Sequence, residues 1–145
     1  MTQEEKDLLL KDLCSRLPYG VKVYNTSFKE STIQTLYGKI SDDEFLMEET
    51  YTGVGVDGDD FGSFNKRHYT GYVDFIKPYL RPMSSMTEEE DKEYAEVIVK
   101  SQDCSLENSE SATTIVNDWY LSKGFDVRGL IPKGLALEAP EGMYK

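Results

Sequence analysis

The first apolar positions of the chain recur with the spacing of one helix face. Thr2 and Glu5 stand three residues apart in front of them and form a capping box. Pro18 and Gly20 follow the pattern and end it. The apolar positions are Leu9, Leu10, Leu13 and Leu17. This pattern predicts an amphipathic first helix whose leucine face lies in the core.

The next part of the chain alternates apolar and polar residues, as half-buried strands do. Residues 19–24 carry this pattern. Residues 32–40, 44–51 and 68–76 are rich in β-forming residues and are also predicted as strands, and residues 41–43 are typical of a hairpin loop. Several short antiparallel strands within so few residues favour a small, strongly curved barrel of the SH3-like kind.

A stretch bracketed by Pro78 and Pro82 separates the strands from a helical pattern. Proline has no backbone N–H to donate, so we expect neither a helix nor a central strand to run through this stretch. Thr87 and Glu90 then form a second capping box. They predict a helix that ends near Lys100, followed by a polar surface loop over residues 101–111.

A second C-terminal helix is indicated by the cleanest helical stripe of the chain, and Gly124 is placed to end it. The stripe consists of Ala112, Ile115, Val116, Trp119 and Tyr120. Trp119 on this stripe is interpreted as a core residue, with a ligand platform as the alternative. A short turn over 127–131 and a terminal strand over 135–138 complete the chain.

These elements predict an α+β fold in a single domain over residues 1–145. Residues 1–80 supply the N-terminal helix and the small curved antiparallel barrel, which is SH3-like. Residues 81–145 supply two helices and a short terminal strand, packed on the barrel.

The net charge of the chain restricts the classes of function that it can have. The 145 residues include 27 acidic and 16 basic ones, a net charge of −11. Nucleic-acid binders carry a basic surface patch, so we expect no direct nucleic-acid contact.

Cys14 and Cys104 have neither CxxC nor zinc-site spacing. The start lacks the basic and apolar regions of a signal peptide, and no apolar run spans a bilayer, so we expect a cytoplasmic protein without a membrane partner.

Residues 53–66 match parts of known motifs, but the residues around them in the sequence do not complete these motifs. The glycine spacing of a dinucleotide site is present, but no helix can begin after it. Asp57 and Asp59 open like an EF-hand loop, yet Phe61 and His68 occupy ligand positions. We interpret the stretch as a solvated hairpin loop, with a divalent-metal site formed by Asp57, Asp59 and Asp60 as the alternative.

Catalytic machinery is not evident in the sequence. His68 is the only histidine, and no serine or cysteine partner can be assigned to it. Glu48 and Glu49 are strand neighbours that point to opposite faces, so they cannot act as a carboxylate dyad. We therefore predict no catalytic residue and no cofactor. The candidate partner-binding residues are Phe61, Phe64 and His68.

Three segments of the chain resemble short hypothetical proteins of gut Bacteroidales and of their phages and mobile elements. The first joins Met1-Thr2-Gln3-Glu4-Glu5-Lys6 to residues 17–23, the second covers residues 77–90, and the third covers residues 125–139. The resemblance implies a bacterial, phage-borne or mobile-element protein and supplies no catalytic residue.

The favoured hypothesis is a non-enzymatic protein-binding or adaptor protein, or a phage accessory protein with a counter-defence or DNA-mimic role. Its partner would be a host or phage protein, and the acidic surface favours a basic one. The alternative is a small nucleotide-binding or metal-dependent hydrolytic protein with its site at the barrel mouth, near His68 and the three aspartates. A purely structural role in a complex is the third hypothesis.

Overall fold

The computed structural model describes residues 1–27, 33–54, 60–105 and 109–144, without the side chains of 50–54, 60–66, 103–105 and 109–113. The helices are α1 (Gln3–Arg16), α2 (Glu88–Ser105) and α3 (Ser109–Ser122). The strands are β1 (Lys22–Asn25), β2 (Ile33–Lys39), β3 (Glu44–Val54), β4 (Asp60–Tyr72), β5 (Ile76–Leu80) and β6 (Leu137–Glu138). The chain forms two compact units, Met1–Pro78 and Tyr79–Lys145.

Helix α1 begins as the sequence predicted. The Glu5 N–H donates to the Thr2 hydroxyl at 3.2 Å, and the Thr2 N–H donates to the Glu5 carboxylate at 2.8 Å. Leu9 and Leu13 are buried, which confirms the leucine face as a core face. Asp12 and Arg16 are buried on the same helix, although both side chains are charged.

The strands form one open sheet in the order β4-β3-β2-β1-β5-β6. All its pairings are antiparallel except that of β5 with β6. A closed barrel requires the two end strands to pair, and here β4 and β6 stand at opposite ends of the order. The α+β prediction is confirmed, while the SH3-like barrel is not, because long β3 and β4 extend the sheet instead of closing it.

Several strand boundaries differ from the prediction. Residues Leu17–Tyr19 form a 3-10 turn closed by Gly20 in the left-handed region (φ 65°), so β1 starts later than expected. The strand expected over 68–76 is divided by a 3-10 turn at Val73–Phe75. The loop expected over 53–66 is wrong at both ends, because β3 reaches Val54 and β4 starts at Asp60; residues 55–59 lie outside the described part.

Strand β5 runs through Pro78, which corrects the expectation that no central strand could cross this stretch. The Thr26 N–H donates to the Phe75 carbonyl at 2.8 Å, and Val23 is aligned with Pro78. Because antiparallel partners alternate between bonded and non-bonded pairs, Pro78 falls at a non-bonded position facing β1. Its nitrogen is directed away from β1, so the missing N–H removes no hydrogen bond between β5 and β1.

One face of the sheet in the first unit is buried. Its directly aligned pairs include Val23 with Gln34, Leu36 with Met47 and Phe45 with Gly71, all of them buried. Side chains of aligned pairs lie on the same face. This inner face and the buried stripe of α1 make the core of the first unit.

The second unit contains more helix than predicted. Helix α2 continues past Lys100 to Ser105 and α3 starts at Ser109, so the loop expected over 101–111 is wrong for the described residues. The Ser101 hydroxyl donates to the Ile98 carbonyl at 2.7 Å, which satisfies a polar side chain inside the helix. Trp119 is buried, confirming its core interpretation. Only Leu137–Glu138 of the expected terminal strand is strand, parallel to Tyr79–Leu80.

Candidate functional site

The outward face of the sheet in the first unit carries a polar row across four strands. Lys22 is aligned with Thr35, Thr35 with Glu48, and Glu48 with His68. Aligned residues share a face, and the alternation along each strand places the buried residues on the other side. We call this row, together with Tyr37, the outer face.

Contacts within the outer face hold its polar side chains in place. The Lys22 ammonium donates to the Thr35 hydroxyl at 2.6 Å. The His68 Nε2 lies 3.6 Å from the Glu48 Oε2. A cation, a carboxylate and an imidazole therefore stand in one line, and each is oriented by a neighbour.

Tyr37 is the exposed aromatic residue of the outer face. The register of β2 with β3 shifts between Leu36 and Gly38, so Tyr37 is the extra residue of a β-bulge. Its ring lies 5.9 Å from the His68 ring, at an interplanar angle of 56°. Tyr37 is 61% exposed, and Ile33, further along β2, is 48% exposed.

Among the predicted site residues, His68 is the one whose side chain the structure describes. His68 lies in the middle of β4 and belongs to the outer face. Phe61, Phe64 and Asp60 are on β4, but their side chains lie outside the described part. Asp57 and Asp59 are also outside it. In the portion that the structure describes, no group of three or more His, Cys, Asp or Glu side chains is placed to hold a metal ion.

Sequence reasoning missed Tyr37 and assigned Glu48 no role. The alternation of Ile33, Thr35 and Tyr37 with Gln34 and Leu36 was the available signal, since it separates exposed from buried positions along β2. The partner of Glu48 could not be found this way, because it depends on the register with β4.

A cleft of about 400 Å³ lies within the second unit. The side chains of Arg81, Glu90, Glu138, Glu141 and Tyr144 are among those that line it. The Arg81 guanidinium donates to both Glu90 oxygens at 2.9 Å and to the Ser85 carbonyl at 3.0 Å. It also lies 4.4 Å from the centre of the Phe125 ring. Arg81 is thus engaged inside the unit, and the cleft is held together by a structural ion pair.

The second unit also contains an aromatic cluster formed by Tyr94, Trp119, Tyr120 and Phe125. Trp119 and Phe125 are buried, and the two tyrosines are half-buried. Burial, and then the hydrogen bond with Tyr94, raises the pKa of Tyr120 to about 12. The hydrogen bond from Lys123, 2.8 Å away, lowers the pKa of Glu93. These shifts arise from packing and surface pairing and do not converge on a reactive group.

Comparison with protein-family models, with curated proteins and with solved structures found no match for the chain. None of the described helices is long and apolar enough to cross a membrane. The arrangement of the described side chains is therefore the basis on which a function is proposed.

The outer face offers binding chemistry. It combines an exposed aromatic ring, an imidazole, a carboxylate and an ammonium on four paired strands. Interfaces between proteins are enriched in aromatic residues at their centre and have a polar rim around it.

Proposed function

We propose that the protein is a non-enzymatic protein-binding or accessory protein of a phage or mobile element that holds its partner on the outer face. The observation that carries the proposal is the contact of exposed Tyr37 with His68, which is itself next to Glu48. It acts in the bacterial cytoplasm, on a host or phage protein.

The position of Tyr37 supports a binding role. A tyrosine ring supplies a large contact area with few rotatable bonds, so its immobilisation in a complex costs little conformational entropy. The His68 ring contacts it from one side in the free protein, and this contact favours some orientations of the tyrosine ring over others. Preorganisation of this kind favours affinity because less ordering remains for the binding step.

The charge of the chain supports a basic partner. A net charge of −11 attracts basic surfaces and repels nucleic acid. Counter-defence by imitation of DNA charge is one form that such binding takes. Electrostatic attraction raises the association rate, and salt weakens it.

The test is a pull-down from lysate of a Bacteroidales host with the wild-type protein and a Tyr37→Ser/His68→Ser variant. The matched control is Val99→Ser, which removes an apolar side chain that is 59% exposed on α2. We expect the captured protein to be lost with the double variant, retained with the control, and captured less at high salt. Equal capture by all three proteins would overturn the assignment to the outer face.

A further inference from the structure

Strand β4 is an end strand of the sheet, and among the described strands it pairs with β3 alone. His68, Thr70 and Tyr72 are exposed, and Tyr72 is 50% exposed. An edge strand presents its outward backbone groups to any other strand that can align with it.

The direction of these backbone groups follows from two hydrogen bonds. The Val73 N–H donates to the Asp43 carbonyl at 2.8 Å, across the pair of β3 and β4. The Glu44 carbonyl instead accepts from the Ile40 N–H at 2.9 Å, toward β2. Because such bonds alternate along a strand, the pair Glu44–Tyr72 is non-bonded, and so are the pairs of Leu46 with Thr70 and of Glu48 with His68.

The N–H and C=O groups of His68, Thr70 and Tyr72 are therefore directed to the open edge. The register of β3 with β4 shifts only between Thr52 and Val54, so this part of the edge is regular. No proline lies between Arg67 and Tyr72. Bulges and prolines are two devices that protect edges from pairing, and neither occurs in this segment.

Charge along this edge is polarised. Arg67 precedes His68 in β4, whereas Asp74 follows the end of the strand. Asp43 and Glu44 lie beside that end, aligned with Val73 and Tyr72. The Lys6 ammonium pairs with both Asp43 and Asp74, and this group of three carboxylates and one ammonium keeps a net negative charge. An antiparallel copy of the same edge brings the basic part of each chain against the acidic end of the other.

We propose that a second copy of this chain docks on the β4 edge, antiparallel and about a two-fold axis at Thr70. Thr70 then faces Thr70 of the second copy, and His68 faces its Tyr72. Arg67 of each copy then approaches the acidic end of the other, so unlike charges meet on both sides of the axis.

The pairing extends the sheet across two chains and sets two outer faces side by side. It goes beyond the proposed partner binding and does not depend on it. Interfaces of this kind are isologous, since the same residues serve on both sides.

Cysteine cross-linking tests the register. In a Cys14→Ser/Cys104→Ser background, Thr70→Cys places two thiols at a bonded antiparallel pair, with about 5.5 Å between Cα atoms. This distance suits a disulfide, which requires about 4.4–6.8 Å. We expect rapid dimer formation with Thr70→Cys, little with His68→Cys alone, and a mixed dimer when His68→Cys and Tyr72→Cys proteins are combined. Equal cross-linking of Thr70→Cys and His68→Cys would overturn the register.

Sedimentation equilibrium over a concentration series tests the association itself. We expect the wild-type mass to rise toward twice that of the chain, and Thr70→Lys, which sets two ammonium groups at the axis, to weaken dimerisation at least tenfold. Thr114→Lys, at an exposed position of α3, is the matched control and should associate like the wild type. A wild-type protein that stays monomeric, or a Thr70→Lys protein that dimerises equally, would contradict the proposal. Either result leaves the pull-down with Tyr37 and His68 variants unaffected, so the two proposals fail separately.

Discussion

The buried ion pair of α1 gives the sharpest stability prediction. The Arg16 Nε donates to Asp12 Oδ2 at 2.7 Å, and its Nη2 donates to Asp12 Oδ1 at 3.1 Å. Both side chains are 0% exposed. The change Asp12→Ala removes the carboxylate and leaves a guanidinium inside the core.

The magnitude follows from the cost of removing one partner of a buried ion pair. Removing one partner of a buried pair costs about 3–5 kcal/mol, because the remaining charge keeps its desolvation penalty. A domain has about 5–15 kcal/mol of total stability, so this loss is a large fraction of it. Replacing both residues, as in Asp12→Leu/Arg16→Met, removes the two charges together and should be close to neutral.

Urea denaturation followed by circular dichroism measures these differences. The matched control is Asp7→Ala, because Asp7 accepts from the Gln3 amide at 2.8 Å with the same four-residue spacing on the exposed side of α1. That exposed pair contributes only about 0.2–0.5 kcal/mol. If Asp12→Ala lowered the free energy of unfolding no more than Asp7→Ala does, the buried Arg16 would not depend on Asp12, and the interpretation would be refuted.

Two further predictions concern the second unit. Because the pKa of Tyr120 is raised to about 12 from its ordinary value of 10.0, the unfolded chain ionises first, and the stability that Tyr120 contributes below pH 10.0 is lost as the pH rises toward 12. Tyr120→Phe should flatten the fall in melting temperature over that range, whereas the control Tyr37→Phe should not; an unchanged slope would contradict it. Arg81→Lys loses the two-pronged contact with Glu90 and should cost about 1.5–3 kcal/mol in thermal denaturation. A melting temperature equal to that of the wild type would show that the lysine ammonium replaces the bidentate guanidinium contact.

Much of the fold could be predicted from local pattern. The capping box at Thr2, the hairpin loop at residues 41–43 and the stripe around Trp119 depend on neighbours in the sequence, and all three are found. Closure of the sheet could not be predicted, because it depends on which strands become its ends. Pro78 was misjudged for a related reason, since a proline is tolerated where its nitrogen has no strand to face.

The candidate site divides in the same way. His68 was selected because a lone histidine stands out in any sequence, whereas its neighbours Tyr37 and Glu48 come from two other strands. Their approach requires the register of three strands, including a bulge. A one-residue change in register would move each side chain to the opposite face, and no local pattern specifies that alignment.

The bulge at Tyr37 has a consequence for how this protein can diversify. Leu36 before it remains aligned with Met47, and Gly38 after it remains aligned with Leu46. The residue between them has no aligned partner on β3, so its identity is decoupled from the packing of the core. If the outer face binds a partner as proposed, substitutions at this position change what it recognises at little cost to folding. A lineage of such proteins could therefore follow a changing target by varying a single codon.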